Sequence, residues 1–156
     1  IDFILNNEDN IYNILKSKIN TLRDTKKEER YLYIVLCRDH TNYYIKPHPD
    51  MPENIFTCLF YCPLTDNLKT SGLNLYEETG NNNIPIRYKT EDNTRNVYGN
   101  WDKLSIPLKK VKTIDFIRNN FIAFAPNQFT WHSVELNKNT EESRNSIQIF
   151  FMRKQT

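Results

Sequence analysis

The sequence predicts a mainly β domain with a single helix at its N-terminal end. Short runs rich in Val, Ile, Phe and Tyr recur along the chain, separated by Asn, Asp, Gly and Pro, which is the pattern of strands and turns. Only near the start do aliphatic residues fall at helical spacing instead. At 156 residues the chain can bury a real core but is short for two, so residues 1–156 are expected to form one domain. Ile1 in place of Met predicts that further residues precede it in the native chain.

Taken in order, Ile4, Ile11, Ile14, Leu15, Ile19 and Leu22 give the helical stripe, and a helix is predicted over residues 8–24. Its acids lie early and Lys16, Lys18 and Arg23 late, which suits the helix dipole. A charged connector, 26–30, leads to strands predicted at 31–37, 43–46, 55–61, 73–76, 104–108, 111–117, 121–125, 130–136 and 145–152. Asp39-His40-Thr41-Asn42 is the turn between the first two. In the third strand, Thr57, Leu59 and Tyr61 share one face while Cys58, Phe60 and Cys62 share the other, so the two close cysteines read as core packing and not as ligands or a redox pair. Residues 77–101 differ in kind: they hold few aliphatics and form a long loop whose Tyr88, Tyr98 and Trp101 either line a substrate mouth or pin the loop to the core.

Composition excludes several classes of function. Acids and bases are interspersed at a formal net charge of +2, with no basic stripe to track phosphates, so nucleic acid is not the expected partner. Three cysteines without a dense pattern argue against a disulfide framework and for a reducing compartment. No apolar run approaches membrane-spanning length, and the expected setting is cytoplasmic, without a membrane.

The candidate chemistry begins at Tyr44-Ile-Lys-Pro-His-Pro-Asp50. In extended backbone His48 and Asp50 point to the same side and bring an imidazole and a carboxylate to one point. A His-x-Asp between prolines also suits a solvated turn. The third candidate ligand is His132, inside a strand with Trp131 on the opposite face; a lone histidine there also fits a hydrogen-bonded core position. Two histidines and one carboxylate on one side of a metal leave coordination positions open, the arrangement of non-heme Fe(II) oxygenases. In the last strand Arg144, Ser146 and Gln148 share one face, with Ile147, Ile149 and Phe151 on the other. Arg144 there is either a surface residue at a strand end or, with Ser146 beside it, a bidentate carboxylate fork in a barrel mouth.

His48-x-Asp50, then His132, then Arg144-x-Ser146 resembles the signature of the Fe(II)- and 2-oxoglutarate-dependent dioxygenases, closest to their prolyl-hydroxylase-like members. Ile55-Phe-Thr-Cys-Leu-Phe-Tyr-Cys-Pro63, Ser71-Gly-Leu-Asn-Leu-Tyr76 and Asn120-Phe-Ile-Ala-Phe-Ala-Pro126 are similar to strands of that family, and the likeness spans residues 31–152. It implies a double-stranded β-helix (jelly-roll, cupin-like) core. It further implies Fe(II) held by His48, Asp50 and His132, 2-oxoglutarate as cosubstrate with its distal carboxylate on Arg144, Ser146 and Tyr61, and O2 as the oxidant. Thr57 and Leu59 would be pocket walls. The implied reaction hydroxylates a substrate, a peptidyl residue such as proline or a small metabolite, and releases succinate and CO2. Nucleic-acid demethylases of the superfamily carry a second arginine later in the closing motif, where this chain has Phe150, which disfavours DNA or RNA. A cupin-like metal-binding protein without turnover, or a purely structural jelly roll, would share the fold.

Overall fold

In a computed structural model, residues 2–19, 25–51, 53–79, 107–127, 129–136 and 141–154 are described. Two short helices open the chain, α1 (Asp2–Asn6) and α2 (Glu8–Lys18), followed by a 3₁₀ turn at Lys27–Glu29. Among the described residues, eight strands come after it: β1 (Arg30–Asp39), β2 (Tyr44–His48), β3 (Asn54–Tyr61), β4 (Leu73–Glu78), β5 (Leu108–Ile114), β6 (Phe121–Phe124), β7 (His132–Glu135) and β8 (Arg144–Arg153). They make two four-stranded sheets with the orders β1-β8-β3-β6 and β2-β7-β4-β5, and every pairing is antiparallel.

Side-chain parity builds two apolar layers from these strands. On the outer face of the first sheet, Ile55, Phe56, Cys58, Ile149 and Phe151 pack under Tyr12 and Leu15 of α2. On its inner face Leu59 and Tyr61 meet Leu73, Phe116, Val134 and Leu136, which come from the second sheet and its flanking turns. β3 is therefore apolar on both sides, as a central strand between two layers must be. Cys58 belongs to the outer layer as its parity predicts, and burial pushes its thiol up to about 12, which leaves it unreactive. All three cysteines are free thiols.

Several predicted elements are revised. α2 stops at Lys18 because Ile19 turns to extended backbone, and residues 20–24 lie outside the described part of the chain. Ile14 is 61% exposed: the buried face is set by Ile11, Tyr12 and Leu15, and position 14 is rotated away from it. The helix is fastened to β1 by Arg30, which pairs with Asp9 at 2.7 Å and lies 3.8 Å over the Tyr12 ring, while Lys27 also pairs with Asp9. Where strands at 104–108 and 111–117 were expected, one strand runs from Leu108 to Ile114, because Lys109 and Lys110 continue the pairing with Glu77 and Tyr76; residues 104–106 lie outside the description. The same is true of 80–101, including Tyr88, Tyr98 and Trp101. β2 runs on to His48, which puts that residue in the sheet and not in the turn beyond it.

Backbone conformation fixes where several strands begin. Asn42 and Asn119 take positive φ, 68° and 62°, in four-residue turns closed by Tyr43 N–H to His40 O and Asn120 N–H to Ile117 O. At Gly72 a Cβ would lie 1.7 Å from the Ile114 carbonyl oxygen, so only glycine lets the chain enter β4 this close to the end of β5. Among the described residues, no helix is long and apolar enough to cross a membrane.

Candidate functional site

β2 and β7 are neighbours in the second sheet, and their register sets His48 opposite His132. An irregularity between Ile45 and His48 shifts that register by one residue at Lys46-Pro47, where proline could give no ladder hydrogen bond in any case. The two rings come to 4.5 Å between centroids. Asp50, two residues beyond the end of β2, lies beside them, its Oδ1 3.4 Å from His132 Nε2. One ligand atom from each of His48, Asp50 and His132 lies within 4.8 Å of the others, so the structure brings together the three residues that the sequence nominates.

The way each donor is held tells which atom it offers. His48 Nδ1 lies 2.8 Å from the Lys46 carbonyl oxygen and His132 Nδ1 2.9 Å from that of Thr130. A carbonyl only accepts, so Nδ1 carries the proton in both rings and each Nε2 is left as the ligand atom. Both acceptors are two residues upstream of the ring they hold, Lys46 within β2 and Thr130 just before β7, so each histidine is fixed by its own stretch of chain. The carboxylate is fixed from across the interior: Thr57 Oγ1 on β3 donates to Asp50 Oδ2 at 2.5 Å and accepts from Asn54 Nδ2 at 3.3 Å. Thr57 is thus an anchor of Asp50 rather than a pocket wall alone.

Charges in the cluster push in opposite directions. Burial and the neighbouring His132 hold the His48 pKa below the ordinary imidazole value. Burial would lower His132 too, but its hydrogen bond and charge interaction with Asp50 raise it overall. Burial would raise Asp50, yet His132 and the Thr57 hydroxyl outweigh it and hold the carboxyl below its usual range. Two neutral-capable imidazoles and an ionised carboxylate, with non-ligating atoms already satisfied, make a donor set that could hold a metal ion.

Beyond the triad the interior opens into a cavity of about 930 Å³ bounded by β1, β2 and β8. Its wall includes Tyr31, Tyr33, Tyr44 and Phe150, and His48 and Asp50 lie at its edge. The three tyrosines are 42%, 53% and 53% exposed, and the Tyr33 ring stacks on Phe150 at 6.0 Å. The described aromatic mouth is therefore built from β1, β2 and β8. The alternation of Tyr31, Tyr33 and Val35 was its signal in the sequence.

The other end of the same inner face holds Arg144, Ser146 and Tyr61. β8 pairs Ser146 with Tyr61 of β3 and with Cys37 of β1, and pairs Arg144 with Asp39. Arg144 is 1% exposed; its Nη1 donates to Asp39 Oδ2 at 2.6 Å and its Nε to the Ser71 carbonyl at 3.0 Å. It is a buried residue and not a surface one at a strand end, and two of its three nitrogens are engaged within the chain. Tyr61 Oη and Ser146 Oγ are buried and donate to no described residue, although Arg144 and the Leu73 backbone approach Tyr61 Oη closely enough to favour its ionised form. Burial raises the Tyr61 pKa despite the nearby Arg144 charge, so its hydroxyl remains a donor. Asp39 is the residue that sequence reasoning missed, since nothing local links it to a partner 105 positions away.

No family model matches this chain, and no curated protein matches it. Among solved structures, a chain of tomato aspermy virus determined by X-ray crystallography is 12% identical over 97% of this chain and 96% of that one, at a TM-score of 0.31. A likeness at that level bears on neither fold nor function.

Proposed function

We propose that this chain is an Fe(II)- and 2-oxoglutarate-dependent oxygenase with a double-stranded β-helix core. Two antiparallel sheets with the orders β1-β8-β3-β6 and β2-β7-β4-β5 support that core, since each strand of one sheet is followed in sequence by a strand of the other, except that β5 follows β4 as its neighbour. The observation that carries the activity is the convergence in one interior of a prearranged His-Asp-His donor set and, further along the same inner face, a guanidinium flanked by two buried hydroxyls that find no acceptor among the described residues. Buried O–H groups without acceptors are costly, and a ligand carboxylate would satisfy both.

His48, Asp50 and His132 would hold the iron through two Nε2 atoms and one carboxylate oxygen. When bound, the metal with 2-oxoglutarate and O2 would supply the oxidising chemistry, with succinate and CO2 as products. The chain's own part is positional. Lys46 O and Thr130 O keep the imidazoles in one tautomer, and Thr57 keeps Asp50 aimed. Tyr61 and Ser146 would donate to the distal carboxylate beside Arg144. From Thr57 to Tyr61 is about 13 Å along β3, a span that a five-carbon diacid and the side chains at either end would fill.

The tyrosine-lined mouth suits a substrate that presents an apolar group to the metal, a peptidyl residue such as proline or an apolar small metabolite; with Phe150 where nucleic-acid demethylases carry a second arginine, nucleic acid is disfavoured. Free thiols at Cys37, Cys58 and Cys62 support a reducing, cytoplasmic setting. The engagement of Arg144 by Asp39 favours a second reading, a cupin-like metal-binding protein without turnover.

The deciding experiment is an anaerobic titration of metal-free protein with Fe(II) and then 2-oxoglutarate, with His132→Ala alongside. A visible charge-transfer band that appears in the wild type and is absent from the variant is expected. Iron bound without a band would favour the second reading, and no iron bound would overturn both.

A further inference from the structure

The buried surroundings of Arg144 already contain a carboxylate of the chain itself. Asp39 is 6% exposed and its Oδ2 lies 2.6 Å from Arg144 Nη1, while Nε is spent on Ser71 O. The Tyr61 and Phe116 rings flank the guanidinium, its Cζ 5.1 and 5.0 Å from their centroids, so little solvent is available to screen what happens there. The neighbouring donors, Tyr61 Oη and Ser146 Oγ, are nevertheless left unused by the described residues. A guanidinium and a carboxylate cancel, so an incoming ligand carboxylate meets two hydroxyl donors but no net positive charge.

We propose that Asp39 is an internal competitor for Arg144 that weakens the pocket's grip on a ligand's distal carboxylate. The proposal rests on reading Arg144, Ser146 and Tyr61 as a carboxylate site. In the wild type a diacid is then retained only when its other end is held as well, which makes the occupancy of this pocket depend on the metal centre along the same inner face. Asp39 acts through Arg144 and through charge repulsion, and so is a positioning and specificity-determining residue, not a catalytic one.

Asp39→Asn tests this, because the amide oxygen still accepts from Nη1 and keeps Arg144 in place while the competing charge is removed. The probes are glutarate, a five-carbon diacid, and pentanamide, which has the same chain length and no carboxylate, titrated by calorimetry into metal-free protein. Glutarate should bind Asp39→Asn roughly tenfold tighter than wild type, as expected for removing one like charge a few ångströms away in a poorly screened site. The difference in affinity between glutarate and pentanamide should widen in the variant. Equal or weaker glutarate binding by the variant, or an equal gain for both probes, would overturn the proposal and leave Asp39 a structural partner of Arg144. Should the variant fold poorly, glutarate but not pentanamide should raise its melting temperature; a variant that neither probe restores would also overturn it. These measurements need no iron, so their outcome is separate from that of the Fe(II) titration.

Discussion

The two ends of the inner face are prepared for ligands in opposite ways. At the metal end every non-ligating atom is already satisfied by the chain: both Nδ1 atoms by backbone carbonyls and one Asp50 oxygen by Thr57. The ligand atoms are left to converge on one point. At the Arg144 end the charged group is satisfied, by Asp39 and Ser71, and it is the hydroxyls of Tyr61 and Ser146 that are left over among the described residues. On the proposed reading, one end is preorganised to bind, and the other is preorganised to be stable without a ligand. Preorganisation of a polar site therefore has to be judged atom by atom, by asking which groups still lack partners.

Substitutions that break this contrast are expected to differ in kind as well as in size. His132→Ala removes a ligand atom and should abolish Fe(II) binding and the 2-oxoglutarate-dependent band altogether, with little change in the far-ultraviolet circular dichroism spectrum. Arg144→Met leaves the Asp39 carboxylate buried without its counter-charge and should cost about 3–5 kcal/mol of folding stability, read from urea denaturation. A loss below about 1 kcal/mol would show that the pair contributes little. Thr57→Val keeps the shape but removes the donor to Asp50; iron affinity should fall about 10–100-fold, measured by competition with a chelator, since outer hydrogen bonds of ligands are worth that much. Tyr33→Ala lies in the exposed mouth and should shift stability by no more than about 0.5 kcal/mol while leaving the iron titration unchanged. A marked loss of iron affinity there would mean that the mouth and the metal end are one unit.

The range of each interaction decides how much of the fold and the site was legible in the sequence. The His48/Asp50 geometry is an i, i+2 relation that extended backbone dictates, and the mainly β pattern and the face assignment of Cys58 and Ile149 are likewise local. His132 came from its being a candidate third ligand, and the register that sets it opposite His48 is visible only in the folded sheet. The α2 terminus was missed because the aliphatic stripe continues past the point where the backbone turns extended at Ile19. The split strand at 104–117 was drawn at Lys109-Lys110, whose charge suggests a turn but which pairs across to Glu77 and Tyr76 at the edge of the second sheet. Asp39 looked like a turn residue, and only its cross-strand partner on β8 reveals it as a buried counter-ion.

The sheet order also bears on when the protein acquires its structure during synthesis. β8 lies between β1 and β3, and the pairs Asp39–Arg144 and Tyr61–Ser146 join residues far apart in sequence. A chain emerging from the ribosome presents β1 and β3 long before the strand that must separate and bridge them is available. Until then β1 has no neighbour in its sheet, Asp39 has no counter-charge, and the apolar inner side of β3 is open on that flank. Contacts of such long range make folding slow and leave the nascent chain exposed to mispairing. Arrival of β8 completes the first sheet, the floor beneath α2 and the pocket around Arg144 in a single late event.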